Sequence, residues 1–188
     1  MTFEGAADQP SRHAHVVVTP HAPNITTNFP STALLWTGPN SSTLTVGQTI
    51  TVRMKLKLDT GSNTYANVSV IQLTPVALRG LAVHTCTGAT GMCLMENDGE
   101  DGTQGTKNDV LTPGTTVETE ISVTKRAGGV WESKVGRAGK VLNQRATGGL
   151  PNDAAGVIKV LVGGANTGGN GSKTGVEIDD VVVTITGP

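Results

Sequence analysis

The chain has 188 residues, enough to bury a core within a single domain. Its 14 basic and 15 acidic residues give a formal net charge of -1, which excludes nucleic acid as a main partner because phosphate binding requires a basic surface. Charged residues make up only 15% of a sequence dominated by Gly, Thr, Val, Ala and Asn, a composition typical of strands and turns. No apolar run approaches the roughly 18 residues of a membrane span, and no secretory signal is visible. We therefore expect no membrane partner.

The predicted elements are all β-strands, and the clearest is Thr49 to Leu58. Apolar side chains alternate there with polar and basic ones, and this period of two predicts a half-buried strand. The predicted inner face is formed by Ile50, Val52, Met54, Leu56 and Leu58. Further strands are predicted at 15–19, 33–36, 66–73, 78–85, 115–124, 156–162 and 176–185.

Three stretches, 96–113, 128–153 and 163–173, are rich in Gly, Asn, Asp or Thr and are predicted to be irregular loops. Loops this long are usually functional or ordered by a partner. Short strands separated by Gly, Pro and Asn predict an all-β protein, a single jelly-roll β-sandwich over residues 1–188 with long Gly/Asn/Thr-rich loops.

Two adjacent carboxylates, Asp179 and Asp180, interrupt the last predicted strand. Successive side chains of a strand point to opposite faces, so strict alternation places Asp179 on the face of Val181, Val183 and Ile185. A buried carboxylate requires a partner, because removing an ion from water is costly. We expect Asp179 to meet a cation or a cluster of amides, or to lie at the frayed start of the strand.

For each of the other candidate sites, the sequence allows a functional interpretation and an ordinary structural one. The acidic run 96–102 has oxygen donors suited to calcium, or is a solvated turn. His13 and His15 form half of a metal site, or are exposed at a sheet edge. The basic stretch 125–145 around Trp131 meets an acidic partner, or is a solvated loop. Cys86 and Cys93 form a disulfide, or stay reduced thiols.

Catalytic motifs are absent from the sequence. It has no Gly-x-Ser-x-Gly, no Cys–His pair in a known context, and no phosphate-binding loop before a helix. The glycine-rich run 163–171 lies between two predicted strands and is interpreted as a hairpin. We therefore expect a protein that is not an enzyme.

Three segments resemble the carbohydrate-binding-module jelly rolls, also described as galactose-binding-like sandwiches. They are the opening Thr-Phe-Glu-Gly at 2–5, the segment at 44–57 that contains Gly-Gln-Thr-Ile-Thr-Val, and the closing Gly-Val-Glu-Ile-Asp-Asp-Val-Val-Val at 175–183. The resemblance implies a structural calcium joining Glu4 to Asp179. It also implies sugar binding by exposed aromatic rings, for which Trp36 and Trp131 are the candidates among five aromatic residues.

Jelly rolls of this kind also occur in phage virions, as capsid decorations or tail proteins. The Thr/Val/Gly/Ala-rich composition and the absence of catalytic motifs favour that role. We expect a non-catalytic virion protein that binds a major capsid or tail protein, as a homo-oligomer or within the assembly. The alternative is an extracellular carbohydrate-binding module that recognises a polysaccharide such as a cell-surface glycan.

Overall fold

A computed structural model describes residues 2–4, 13–18, 34–63, 65–72, 78–98, 109–137, 139–147, 157–165 and 174–188. Within these ranges the chain forms two antiparallel sheets that pack face to face, so the predicted all-β sandwich is confirmed. None of the described elements is a helix long and apolar enough to cross a membrane. The two described helices are single 3₁₀ turns, Ser41–Thr43 and Ala127–Gly129.

The first sheet has seven described strands in the order β1-β2-β13-β4-β9-β10-β11. They are β1 (Thr2–Glu4), β2 (His13–Val18), β4 (Thr49–Leu58), β9 (Thr116–Lys125), β10 (Trp131–Arg137), β11 (Lys140–Thr147) and β13 (Thr174–Thr186). The second sheet has six in the order β3-β12-β5-β6-β7-β8. They are β3 (Leu34–Asn40), β5 (Ala66–Gln72), β6 (Leu78–Thr85), β7 (Met92–Asp98), β8 (Asp109–Leu111) and β12 (Val157–Ala165).

The core lies between the sheets and is built mainly from Val, Ile and Leu. Strand β4 is at its centre, between β13 and β9, and its alternating apolar side chains are all buried as predicted. On the opposite face Arg53 is exposed, and Lys55 and Lys57 are half-buried. The period of two therefore fixed which face of β4 carries charge.

Strands occupy parts of all three predicted loops, and β12 runs into the third as far as Ala165. Strands β10 and β11 form a hairpin within the stretch expected to be irregular, and β7 and β8 occupy parts of 96–113 and the residues before it. In β10 the inward side chains are Trp131, Ser133 and Val135. Because Ser133 interrupts the apolar alternation and glycines lie nearby, the sequence pattern did not reveal this strand. In the structure it pairs with β9 on one side and β11 on the other.

A β-bulge in β13 overturns the expected orientation of Asp179. The register changes from Asp179 opposite Lys55 to Val182 opposite Arg53, so β13 uses one more residue than β4 over this interval. Asp180 absorbs the extra residue with φ 50°, a left-handed conformation that Asp tolerates better than most residues. Ile178 is buried before the bulge, and Val181, Val183 and Ile185 pack on the core after it. Asp179 therefore lies on the outer face.

Candidate functional site

The outer face of the seven-stranded sheet is mostly polar over its described length, with Val182 as an exposed apolar side chain beside Arg53. At one end, paired positions of β13, β4 and β9 carry hydroxyls. These are Thr184, Thr51 and Ser122 in one row, and Thr186, Thr49 and Thr124 in the next. At the other end the same strands carry charges. Thr51, Ser122 and Thr124 are buried, so the exposed hydroxyls at this end are those of Thr184 and Thr186.

Ion pairs between neighbouring strands organise the charged end. Arg53 Nε donates to Glu120 Oε2 at 2.6 Å, and Lys55 Nζ donates to Asp180 Oδ2 at 2.5 Å. Their hydrogen bonds and the adjacent negative charges raise the pKa of both Arg53 and Lys55. Both bases therefore stay protonated. Further along, Lys57 Nζ lies 2.5 Å from Glu177 Oε2.

A cleft with a volume of about 300 Å³ opens at this charged end. It is lined by Arg53, Met54, Lys55, Glu118, Thr119, Glu120, Gly139 and Asp180. A second hollow of about 180 Å³ shares Arg53 and Glu120 and continues toward β10 and β11. Gly136 lines that hollow, and a Cβ there would lie 3.1 Å from the carbonyl oxygen of Lys140. The first volume reaches the lower limit of typical small-ligand sites.

Glu132 forms two ion pairs and a hydrogen bond on the β10–β11 side of this face. Its Oε2 lies 2.9 Å from Arg126 Nη2, and its Oε1 lies 3.2 Å from Lys134 Nζ and accepts from Gln144 Nε2 at 2.7 Å. Burial raises the pKa of Glu132, but the hydrogen bonds from Arg126 and Lys134 outweigh it and leave the pKa below its ordinary value. The basic stretch expected to be a loop is thus partly tied into the sheet.

The register places the proposed calcium ligands on either side of β2. Glu4 and Asp179 are both paired with His13, so their backbones lie two strand spacings apart, about 10 Å. Asp179 Oδ1 accepts the amide hydrogen of Asp180 at 2.8 Å. Two residues further along β2, His15 is paired with Glu177 of β13. Among the described residues no group of three His, Cys, Asp or Glu is placed to hold a metal ion. The calcium site stays a prediction.

The two tryptophans lie on the inner side of the sandwich. Trp131 is 1% exposed in the core, with Lys125 Nζ 5.9 Å from its ring centroid. Trp36 packs against the core from β3 and covers Gly38, where any side chain would clash with its ring. Rings in these places are not available to line a groove on the outer face. Within the described part of the chain, that face carries no aromatic side chain.

The first residue of the acidic run is part of the core. Glu96 is 0% exposed, and its Oε1 accepts a hydrogen bond from the Ser133 hydroxyl of the opposite sheet. Arg79 is also fully buried. It lies on β6 two residues before Leu81, whose backbone pairs with that of Glu96. Residues 99–108, which hold the rest of that run, lie outside the described residues. Sequence patterns missed Glu96 because a carboxylate in an acidic run predicts exposure.

The cysteine alternative is settled by the hairpin that joins β6 to β7. Cys86 and Cys93 form a disulfide, with Cα atoms 5.1 Å apart. The amide of Cys86 donates to Gly91 O at 3.0 Å and closes the same turn.

No protein-family model matches the chain, and no curated protein matches it. Solved structures do share its fold. The alginate lyase Aly36B superposes with a TM-score of 0.57 at 12% identity, over 97% of this chain and 86% of that one. An alginate lyase of polysaccharide lyase family 7 gives 0.56 at 15% identity, over 98% and 82%. An endo-β-1,4-glucuronan lyase from Trichoderma reesei gives 0.51 at 13% identity, over 92% and 80%.

These neighbours confirm a jelly-roll-like sandwich and correct the expected function. The predicted role as a non-catalytic phage virion protein is wrong, because the fold is shared with polysaccharide lyases and no link to a phage protein appears. The prediction that the chain is not an enzyme is overturned by the same neighbours. Both predictions rested on the absence of known catalytic motifs. The charged residues of the cleft lie on three different strands, so they form no short motif in the sequence.

Proposed function

We propose that this chain is a carbohydrate-active protein that binds a polysaccharide across the outer face of its seven-stranded sheet. The observation that carries the proposal is the polar cleft on β13, β4 and β9, lined by the Arg53–Glu120 and Lys55–Asp180 pairs. Carbohydrate rings present hydroxyls that donate and accept, and this cleft offers both kinds of partner. The fold neighbours, which are polysaccharide lyases, support the ligand class.

Glu118 is the residue of the cleft that we assign to proton transfer. It is exposed, lines the cleft and forms no ion pair with a described residue. Its charge helps to raise the pKa of both Arg53 and Lys55, so its carboxylate lies near these two cations of the cleft. A carboxylate in this position faces the same ligand and is placed to act as a general base. The chain's single tyrosine, Tyr65, lies beside His84 on the other sheet, so neither reaches this cleft. The remaining histidines are His13, His15 and His21.

We also propose an extracellular location. The disulfide between Cys86 and Cys93 supports it, because such bonds form and persist in oxidising compartments. An extracellular location is also one in which the protein would meet polysaccharides.

The test uses the intact chain and a panel of purified polysaccharides. Binding is read by affinity electrophoresis, and cleavage by new reducing ends, which hydrolysis and elimination both create. Ultraviolet absorbance then identifies elimination. We expect retardation by at least one polymer, and Glu118→Gln should keep that binding while losing cleavage. Asp109→Asn, which changes a carboxylate on the other sheet, is the matched control. A panel with neither binding nor cleavage would contradict the proposal.

A further inference from the structure

Positive charge is not in excess around the cleft, which bears on the kind of sugar it accepts. The described side chains of the outer face and its rim include six cations and seven carboxylates. The cations are Arg53, Lys55, Lys57, Arg126, Lys134 and Lys140, and the carboxylates are Asp59, Glu118, Glu120, Glu132, Glu177, Asp179 and Asp180. A surface without an excess of positive charge does not concentrate a polyanion from solution.

Five of these six cations already have a carboxylate partner within the chain. The exception is Lys140, which lines the second hollow and makes no ion pair with a described residue. A uronate carboxylate entering the cleft would bind the N–H groups of Arg53 and Lys55 that the ion pairs leave free. It would then lie close to the carboxylates of Glu120 and Asp180 on the same cations, with Glu118 nearby. That like-charge arrangement disfavours an acidic sugar.

An uncharged sugar meets no such conflict. A hydroxyl donates to a carboxylate and accepts from an ammonium or guanidinium group, so it can bridge an ion pair without breaking it. Next to the cleft on β13, the exposed hydroxyls of Thr184 and Thr186 extend these contacts with neutral groups. The described residues of this face offer hydrogen bonds rather than aromatic rings to a sugar.

We infer that the cleft selects an uncharged, hydroxyl-rich polysaccharide over a polyuronate. The inference rests on the proposed function and narrows its ligand class. It also sets the chemistry, because elimination requires a carboxylate on the sugar to acidify the neighbouring C–H. A neutral chain is instead broken by hydrolysis, in which water adds across the glycosidic bond and gives a new reducing end and a hydroxyl.

The experiment compares two polymers with the same backbone, a neutral β-glucan and the same glucan oxidised at C6 to a glucuronan. Affinity electrophoresis of the intact chain measures Kd for each at low and high salt. We expect the neutral polymer to bind at least about tenfold more tightly, with Kd changing less than about twofold with salt, because no net charge is neutralised. Tighter binding of the glucuronan, weakened by salt, would overturn the inference and leave the proposed function standing. Binding of neither polymer, nor of any other member of the panel, would remove both.

A charge variant tests whether the Arg53–Glu120 ion pair causes the preference for the neutral polymer. Glu120→Gln frees Arg53 from its ion pair, and we expect the gap between the two polymers to close by about fivefold or more. Asp109→Asn makes the same change in net charge on β8 of the other sheet, where Asp109 forms an ion pair across the sandwich with Arg137 of β10, and should leave the preference unchanged. Circular dichroism establishes that both variants are folded. An unchanged preference in folded Glu120→Gln would contradict the role given to the ion pair.

Discussion

Asp180 Oδ2 lies 2.5 Å from Lys55 Nζ, and Asp180 reaches it from a left-handed backbone conformation at the bulge of β13. Without the extra residue, strict alternation would turn one of the two aspartates toward the core. The bulge keeps both carboxylates outside and directs Asp180 at the central lysine of the cleft. Strained backbone of this kind is commonly associated with functional sites.

The conformation of Asp180 predicts how its variants behave. Asp180→Val should lower the free energy of unfolding by about 1–2 kcal/mol, because a β-branched side chain is strained at positive φ. Asp180→Asn should lower it by less, since Asn tolerates this conformation. Urea denaturation measures both, with Thr184→Val on the same strand as the control. Equal losses in the two Asp180 variants would contradict the role of the backbone.

Gly175 allows Asp59 to pack against the start of β13. The Asp59 amide donates to Gly175 O at 2.9 Å, and a Cβ on Gly175 would overlap the Asp59 carboxylate. We expect Gly175→Ala to destabilise the fold by about 1–3 kcal/mol, as overpacking does. Adding Asp59→Ala should recover part of this loss, because it removes the clashing atoms. Thermal unfolding of both single variants and the double variant measures the coupling, and strictly additive effects would argue against the clash.

The lowered pKa of Glu132 predicts a pH-dependent contribution to stability. A carboxyl whose pKa falls on folding stabilises the protein above its unfolded value, here 4.5, and the contribution disappears as the pH falls through the folded value. The stability difference between wild type and Glu132→Gln should therefore shrink as the pH is lowered from 7 to below 4.5. Glu118→Gln, at an exposed position, serves as the comparison. A difference that grows on acidification would reverse the sign of our assignment.

The disulfide closes a short hairpin loop, with a sequence separation of 7 between its cysteines. The chain-entropy estimate for such a loop is about 2.5 kcal/mol of stabilisation. Cys86→Ser/Cys93→Ser should lower the Tm accordingly, and a reducing agent should lower the Tm of the wild type only. A reducing agent that also destabilises the double variant would show that the effect lies elsewhere.

The calcium prediction is tested by thermal unfolding with calcium and with a chelator. A bound ion would raise the Tm by mass action, in proportion to its affinity for the folded state. We expect no change, because Asp179 accepts the Asp180 amide and β2 lies between Asp179 and Glu4. Glu4→Gln should then be silent as well. A calcium-dependent rise in Tm that Glu4→Gln abolishes would establish the site and contradict the hydrogen-bonded alternative.

The sequence by itself determined the class of fold and the two faces of the central strand. Alternation from Thr49 to Leu58 is a local property, and each apolar residue there is buried because a strand has only two faces. The same reasoning placed Val117, Ile121 and Val123 inside on β9. It failed for β10, where Ser133 occupies an inward position opposite Glu96, a contact between residues far apart in the chain.

Only the tertiary structure decided where the charged residues meet. Arg53 and Glu120 are 67 positions apart, and Lys55 and Asp180 are 125 apart, so no local pattern reveals either pair. The bulge at Asp180 is equally invisible, because it follows from the register of β13 against β4. Strand pairing between distant segments creates the cleft, and for that physical reason its chemistry was absent from every short motif in the sequence.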